Sequence, residues 1–169
     1  MPEKSILVTG CSAGGIGEAL ALALATRGHH VFATARNPAK VPEALSSLSN
    51  VTVLQLDVLS TDSAADAARA VSESGRGLDI LVNNAGCGYA QPVLDMDIAK
   101  AQRLFDTNVW GPIRMIQAFA GLLIASQGRI VNVSSVGAIV NTPWIGKSTD
   151  YYLDVFRSVT FAGATNDPR

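Results

Sequence analysis

Cysteine is scarce in this 169-residue chain, where Cys11 and Cys87 are the whole complement. Two thiols make no disulfide framework, and their spacing fits no zinc pattern, so both are expected to be reduced, the protein intracellular, and no metal site present. Charge of one sign is lacking too: 13 Lys and Arg stand against 14 Asp and Glu, for a net charge of −1. That balance removes the electrostatic case for nucleic acid or an anionic membrane as main partner. Long apolar runs are absent. Residues 19–25 are apolar but bounded by Glu18 and Arg27, far short of the ~20 residues that span a bilayer. No charged-then-apolar leader follows Met1, which predicts no secretion signal and leaves peripheral contact as the membrane role still open. There is no internal repeat and no low-complexity tract. What remains is a chain with 48% hydrophobic residues, enough for one domain with a sizeable core.

The most informative stretch is Ile6-Leu7-Val8-Thr9-Gly10-Cys11-Ser12-Ala13-Gly14-Gly15-Ile16-Gly17. Residues 6–8 read as a buried parallel strand, and residues 18–27, rich in Ala and Leu, as the helix that follows. The glycines between them let the backbone turn tightly and approach a ligand, while the N–H groups at the helix start attract an anion such as a pyrophosphate. A P-loop is disfavoured because no Gly-Lys-Ser/Thr closes this loop. Gly146-Lys147-Ser148 occurs later, but Asn141 stands where its first glycine belongs.

Strand and helix then alternate. Gly28 stops the first helix, residues 30–34 form a strand, and residues 38–48 a weaker helix. Residues 51–56 are a strand with Asp57 at its end, residues 60–74 a helix, and residues 78–82 a strand ending in Asn83-Asn84-Ala85-Gly86. Residues 98–126 are the longest helical pattern, interrupted at Gly111-Pro112. Pro112 has no N–H for the carbonyl of Asn108, four residues back, which leaves that oxygen available to a water. Residues 129–133 are a fifth strand, ending at Ser134-Ser135. Right-handed crossovers turn this order into a parallel sheet with helices on both faces, an α/β, Rossmann-like, doubly wound fold. At the end of the second strand an NAD site would place an acid for the ribose 2′-hydroxyl. This chain has Ala35-Arg36-Asn37, and Arg36 suits a 2′-phosphate instead. His29 and His30 carry no assigned chemistry. Cys11 and Cys87 fall on loops after neighbouring strands, where an oxidant-sensitive pair competes with two inert thiols.

These motifs, in this order and spacing, resemble the classical short-chain dehydrogenase/reductase family over residues 4–146. Thr9, Gly10, Gly15 and Gly17 match its glycine loop with one extra residue, since Gly14 and Gly15 stand where one glycine is usual. The resemblance implies an NADP(H) site built from Gly10, Ser12, Gly15, Ile16, Gly17, Arg36, Asp57, Val58, Asn84, Ala85 and Gly86. It implies Ser135 as the catalytic hydroxyl and Asn108 as holder of a relay water. In wording around residues 10–17, 33–36 and 108–112 the chain is similar to fungal NADPH-dependent 1-acyldihydroxyacetone-phosphate reductases. That implies a lipid-like ketone as substrate, a homo-oligomer for the complete family member, and a cytoplasmic place with lipid droplets or endoplasmic reticulum as the alternative.

The family's proton donor is the Tyr of a Tyr-x-x-x-Lys pair, and the pattern departs there. After Gly146 the chain reads Lys147-Ser148-Thr149-Asp150-Tyr151-Tyr152, and no lysine follows Lys147. Residues 147–169 form a tail outside the family pattern. Gly-Lys-Ser can be encoded so as to contain the usual start of an intron, so a translated intron, another transcript form and a genuine short protein are the three readings of it. The chain as it stands is expected to be inactive, with the fifth strand an open edge and Phe105, Ile116 and Phe119 at risk of exposure.

Overall fold

The computed structural model describes residues 2–135; Lys147, Tyr151 and Tyr152 lie outside them. Five strands form one parallel sheet in the order β3-β2-β1-β4-β5: β1 (Ser5–Thr9), β2 (His30–Ala35), β3 (Val51–Gln55), β4 (Ile80–Asn83) and β5 (Arg129–Asn132). The period-two alternation of buried strands sorts their side chains onto two faces. Ile6 and Val8 of β1 pack with Val31 and Ala33 on the face covered by α1 (Ile16–Thr26) and α2 (Glu43–Ser46). Leu7 and Phe32 point the other way, into a core with Val71 of α3 (Thr61–Glu73) and Met115 and Phe119 of α5 (Gly111–Ala125). The fold is therefore Rossmann-like, as the alternation of elements predicts.

Helix α1 meets the sheet through Gly17, Ala21 and Ala25, all buried and four residues apart. Small side chains at that spacing bring helix and sheet close, which carries the start of α1 down onto the end of β1.

Three expectations need correction. Residues 38–48 are not one helix but a 3₁₀ turn, Pro38–Lys40, and the single turn α2. Pro42 forces the residue before it out of the helical region, and Val41 has ψ 124°. The long helix does not simply break at Gly111-Pro112: α4 (Ile98–Phe105) passes through a five-residue π segment, Asp106–Trp110, into α5. Phe119 is fully buried, because α5 lays it against α3 and the sheet; Phe105 and Ile116 are half-buried. Among the described residues β5 is the last strand on its side, and Val131 on it is 47% exposed.

The amino edge of the sheet holds the buried His30, whose Nε2 lies 3.1 Å from Thr52 Oγ1 and whose Nδ1 has no partner among the described residues. Burial, then the nearby Arg76 charge, push its pKa below the ordinary 6.5. A histidine held neutral in the fold but free to protonate when unfolded lowers stability as pH falls below the unfolded value, down to the folded one. The urea midpoint is accordingly expected to drop between pH 7.5 and 5.5, and to drop less in His30→Gln. An equal drop in both proteins would assign the pH dependence elsewhere.

Candidate functional site

All strands present their carboxyl ends at one edge, and the direction of winding reverses between β1 and β4. The crevice outside such a reversal is where open α/β sheets hold ligands. Here the loop after β1 and the loop after β4 face each other across it, locked by the hydroxyl of Thr9. That oxygen accepts from the backbone N–H groups of Asn84 and Ala85, each at 2.9 Å, and donates to the Val82 carbonyl at 3.3 Å. The Asn84 side-chain amide donates to the Thr9 carbonyl at 2.7 Å. Asn83, at the end of β4 beside Asn84, instead donates its side-chain N–H to Asn132 Oδ1 of β5 at 2.9 Å. One Asn thus ties β4 to β1 and the other ties β4 to β5.

The loop after β1 is itself pinned at several points. Cys11 N–H donates to the Thr34 carbonyl and Ala13 N–H to the Lys40 carbonyl. Gly14, with φ +77°, donates its N–H to the carboxylate of Glu18 in the first turn of α1. A Cβ on Gly10 would stand 3.0 Å from Ala85 Cα and 3.2 Å from Asn84 Nδ2, so the two loops approach too closely at this point for a side chain on residue 10. Cys11 is buried, its thiol donates to the Val8 carbonyl, and burial pushes its pKa up to about 11. Cys87 is exposed. With one thiol sealed in the core, the oxidant-sensitive pair is set aside.

A groove of about 530 Å³ runs along this edge, walled by Gly10, Ser12, Gly15 and Ile16, by Arg36, by Asp57 and Val58, and by Asn84, Ala85 and Gly86. Asp57 shapes its own loop: Oδ1 accepts from Leu59 N–H at 3.0 Å, and its N–H donates to Ser63 Oγ at 3.0 Å. Arg36 is exposed and, among the described residues, its guanidinium pairs with no carboxylate. Gly17 is not on the wall. It is buried behind the loop, where a Cβ would collide with the Gly10 carbonyl oxygen.

A second cavity of about 340 Å³ shares Ile16 and residues 84–87 as walls and extends to Asn108, Val133 and Ser135. The two residues expected to carry chemistry therefore line one space. Asn108 acts structurally through its side chain: Oδ1 accepts from Cys87 N–H at 2.9 Å and Nδ2 donates to the Cys87 carbonyl at 2.8 Å. Sequence reasoning missed this two-point clamp, as it missed the hub at Thr9. An Asn four residues before a Pro points to the backbone carbonyl, and nothing local reveals that the amide is spoken for.

A parallel sheet with a glycine loop and an Asn-rich loop facing each other at the switch point defines a dinucleotide-binding α/β protein. The chain belongs to the short-chain dehydrogenase family, whose model matches residues 4–147. It is 47% identical over 147 residues to a short-chain dehydrogenase, ptmH, of Penicillium ochrochloron, an alignment covering 86% of this chain and 54% of that protein. It is 40% identical over 139 residues to an NADPH-dependent 1-acyldihydroxyacetone phosphate reductase of Schizosaccharomyces pombe, covering 82% and 46% respectively. Among solved structures, a short-chain alcohol dehydrogenase from Sinorhizobium meliloti superposes with a TM-score of 0.82 at 34% identity, over 93% of this chain and 65% of that one. An alcohol dehydrogenase from Thermococcus sibiricus, complexed with 5-hydroxy-NADP, gives 0.81 at 26% identity, over 90% and 66%. The chain spans about half the length of the curated relatives it matches. Among the described residues no helix is long and apolar enough to cross a membrane.

Proposed function

We propose that this chain carries the NADP(H) site of a short-chain reductase that converts a ketone on a small or lipid-like molecule, of the acyl-dihydroxyacetone phosphate type, into a secondary alcohol. The observation that carries the cofactor choice is Arg36, exposed on the groove wall at the end of β2, where an acid would be needed for NAD(H). The residues fit the group, since the groove of about 530 Å³ brings the glycine loop, Arg36, Asp57 and residues 84–86 to one continuous wall. When bound, the cofactor supplies the hydride.

The chain's own residues then have distinct tasks. Backbone N–H groups at the start of α1 bind the pyrophosphate, and Arg36 pairs with the 2′-phosphate. Asp57 and Val58 flank the adenine, and residues 84–86 let backbone lie against the cofactor. Asn108 holds the Cys87 backbone and keeps the wall between the two cavities in place. The Ser135 hydroxyl is the donor to the substrate oxygen. Leu104, Phe105, Val109 and Val133 give that cavity one apolar wall, which suits an acyl-bearing ketone. The name of the Schizosaccharomyces relative supports the same substrate class.

A second reading is favoured by one feature, the missing Tyr-x-x-x-Lys pair: a polypeptide that binds cofactor without turning it over, as a fragment or as a regulatory partner of a complete relative. Both readings require NADP(H) binding. Titration is expected to give about tenfold tighter binding of NADPH than NADH, the low end for a charge-assisted contact because Arg36 is exposed to solvent. Arg36→Ala is expected to abolish the difference. Equal affinities in the parent would overturn the choice of NADP(H).

A further inference from the structure

We propose that Arg114 is a positioning residue, a single guanidinium that ties the wall at Val58 to the π segment Asp106–Trp110 and holds that segment in register. The proposal rests on the NADP(H) reading only for the ligand used to test it.

Arg114 lies in the first turn of α5, yet its head group reaches three oxygens in two separate segments. Nη1 donates to the Val58 carbonyl and to the Asp106 carbonyl, each at 3.3 Å, and Nη2 donates to Asp106 Oδ1 at 2.5 Å. The pairing is not an ordinary surface contact, because the Arg114 side chain is 25% exposed and donates to backbone carbonyls as well as to a carboxylate. A regular helix would have the Asp106 carbonyl accept from residue 110. Here it accepts from Gly111 N–H, the five-residue spacing that defines the π segment. Arg114 thus bonds the same carbonyl whose partner marks the irregular register. An arginine eight residues along a regular helix stands ~12 Å away, and packing more residues into a turn shortens that span. The wide turn and the clamp support each other.

The other end of the clamp sits against the same place. Gly111 abuts Val58 so closely that a Cβ on it would stand 3.2 Å from Val58 Cγ2. Val58 walls the larger groove beside Asp57, whereas Asn108, in the π segment, walls the smaller cavity. Without Arg114, the Asp106 carbonyl would keep one partner and the Val58 carbonyl would lose its charged one. The π segment could then relax toward regular helix, which would turn Asn108 away from Cys87 and loosen the wall that both cavities share.

The test uses the full chain and two readouts, amide hydrogen exchange and titration with NADPH. Arg114→Met keeps the apolar stem and removes every donor; Arg114→Lys keeps the charge without the fork. Arg69→Met, on an exposed pair with Asp66, is the control. Arg114→Met is expected to speed exchange at Gly111 about tenfold relative to the amides of α3, and to weaken NADPH binding about tenfold, the loss of one charge-assisted contact. Arg114→Lys should recover part of both, and Arg69→Met should match the parent. A lower melting temperature with unchanged Gly111 exchange and NADPH affinity would overturn the proposal, as would exchange rising equally across α3 and α5. If Arg114→Met does not fold, Arg114→Lys decides on the same two measurements. If the parent does not bind NADPH, the cofactor reading fails, and exchange at Gly111 alone judges the clamp.

Discussion

NADPH mixed with this chain and a ketone is expected to be oxidised no faster than background, at a rate 10²–10⁴-fold or more below that of a complete relative, the range lost with a positioned general acid. Reduction of a carbonyl needs a proton for the oxygen as hydride arrives at carbon. Among the described residues lining the cavity of Asn108 and Ser135, the one titratable side chain is Cys87. The Ser135 hydroxyl can stabilise developing charge by hydrogen bonding, but it is a poor acid. No Tyr in the chain has a Lys four residues on. Absorbance at the nicotinamide band is the measurement. Turnover abolished by Ser135→Ala would sink this expectation, and loss of that turnover in Cys87→Ser would identify the thiol as acid. Replacing residues after Gly146 with a segment containing Tyr-x-x-x-Lys is expected to restore measurable activity.

Gly17→Ala is expected to cost about 3 kcal/mol of stability and to remove cofactor binding, the upper end of the ~1–3 kcal/mol typical of forcing atoms into a filled site. An added methyl would collide with the Gly10 carbonyl oxygen and stand 2.5 Å from Asn84 Nδ2. Neither neighbour can yield cheaply. Gly10 is backbone of the cradle, and Asn84 is held by its 2.7 Å bond to the Thr9 carbonyl. Relief would separate the loops that form the groove. Gly14→Ala is the informative contrast, because no atom lies within 4 Å of its added Cβ and the cost is only that of the left-handed φ of +77°, ~1–2 kcal/mol. Urea melts and NADPH titrations of the two variants check this, and parent-like behaviour of Gly17→Ala would contradict the packing argument.

The features legible in the chain were those written in local pattern. Continuous apolar runs such as residues 6–8 announce strands covered on both sides, and Gly28 and Gly75, with φ +85° and +70°, stop helices where expected. The cradle was legible because glycine has few other uses at a strand-to-helix turn. The π segment was not, since Asp106–Trp110 keeps helical composition and its extra residue per turn is decided by Arg114 and Val58, which lie 56 residues apart in sequence. Pro42 could have exposed the broken second helix, had its effect on Val41 been weighed above the Ala and Leu around it.

By itself the sequence determined the alternation of strands and helices, the glycine loop, the Arg in place of an acid at residue 36, and the lack of a Tyr-x-x-x-Lys pair. All are properties of residue type at fixed spacing, which covalent geometry and local sterics read directly. Tertiary structure alone decided that Thr9 joins two loops, that Asn108 clamps Cys87, that Gly17 lies behind the groove, and that Phe119 is sealed in the core. Each of these depends on which parts of the chain pack together: the bonds of Thr9 to Ala85, 76 positions away, and of Asn108 to Cys87, 21 away, follow from the sheet order and not from any local pattern.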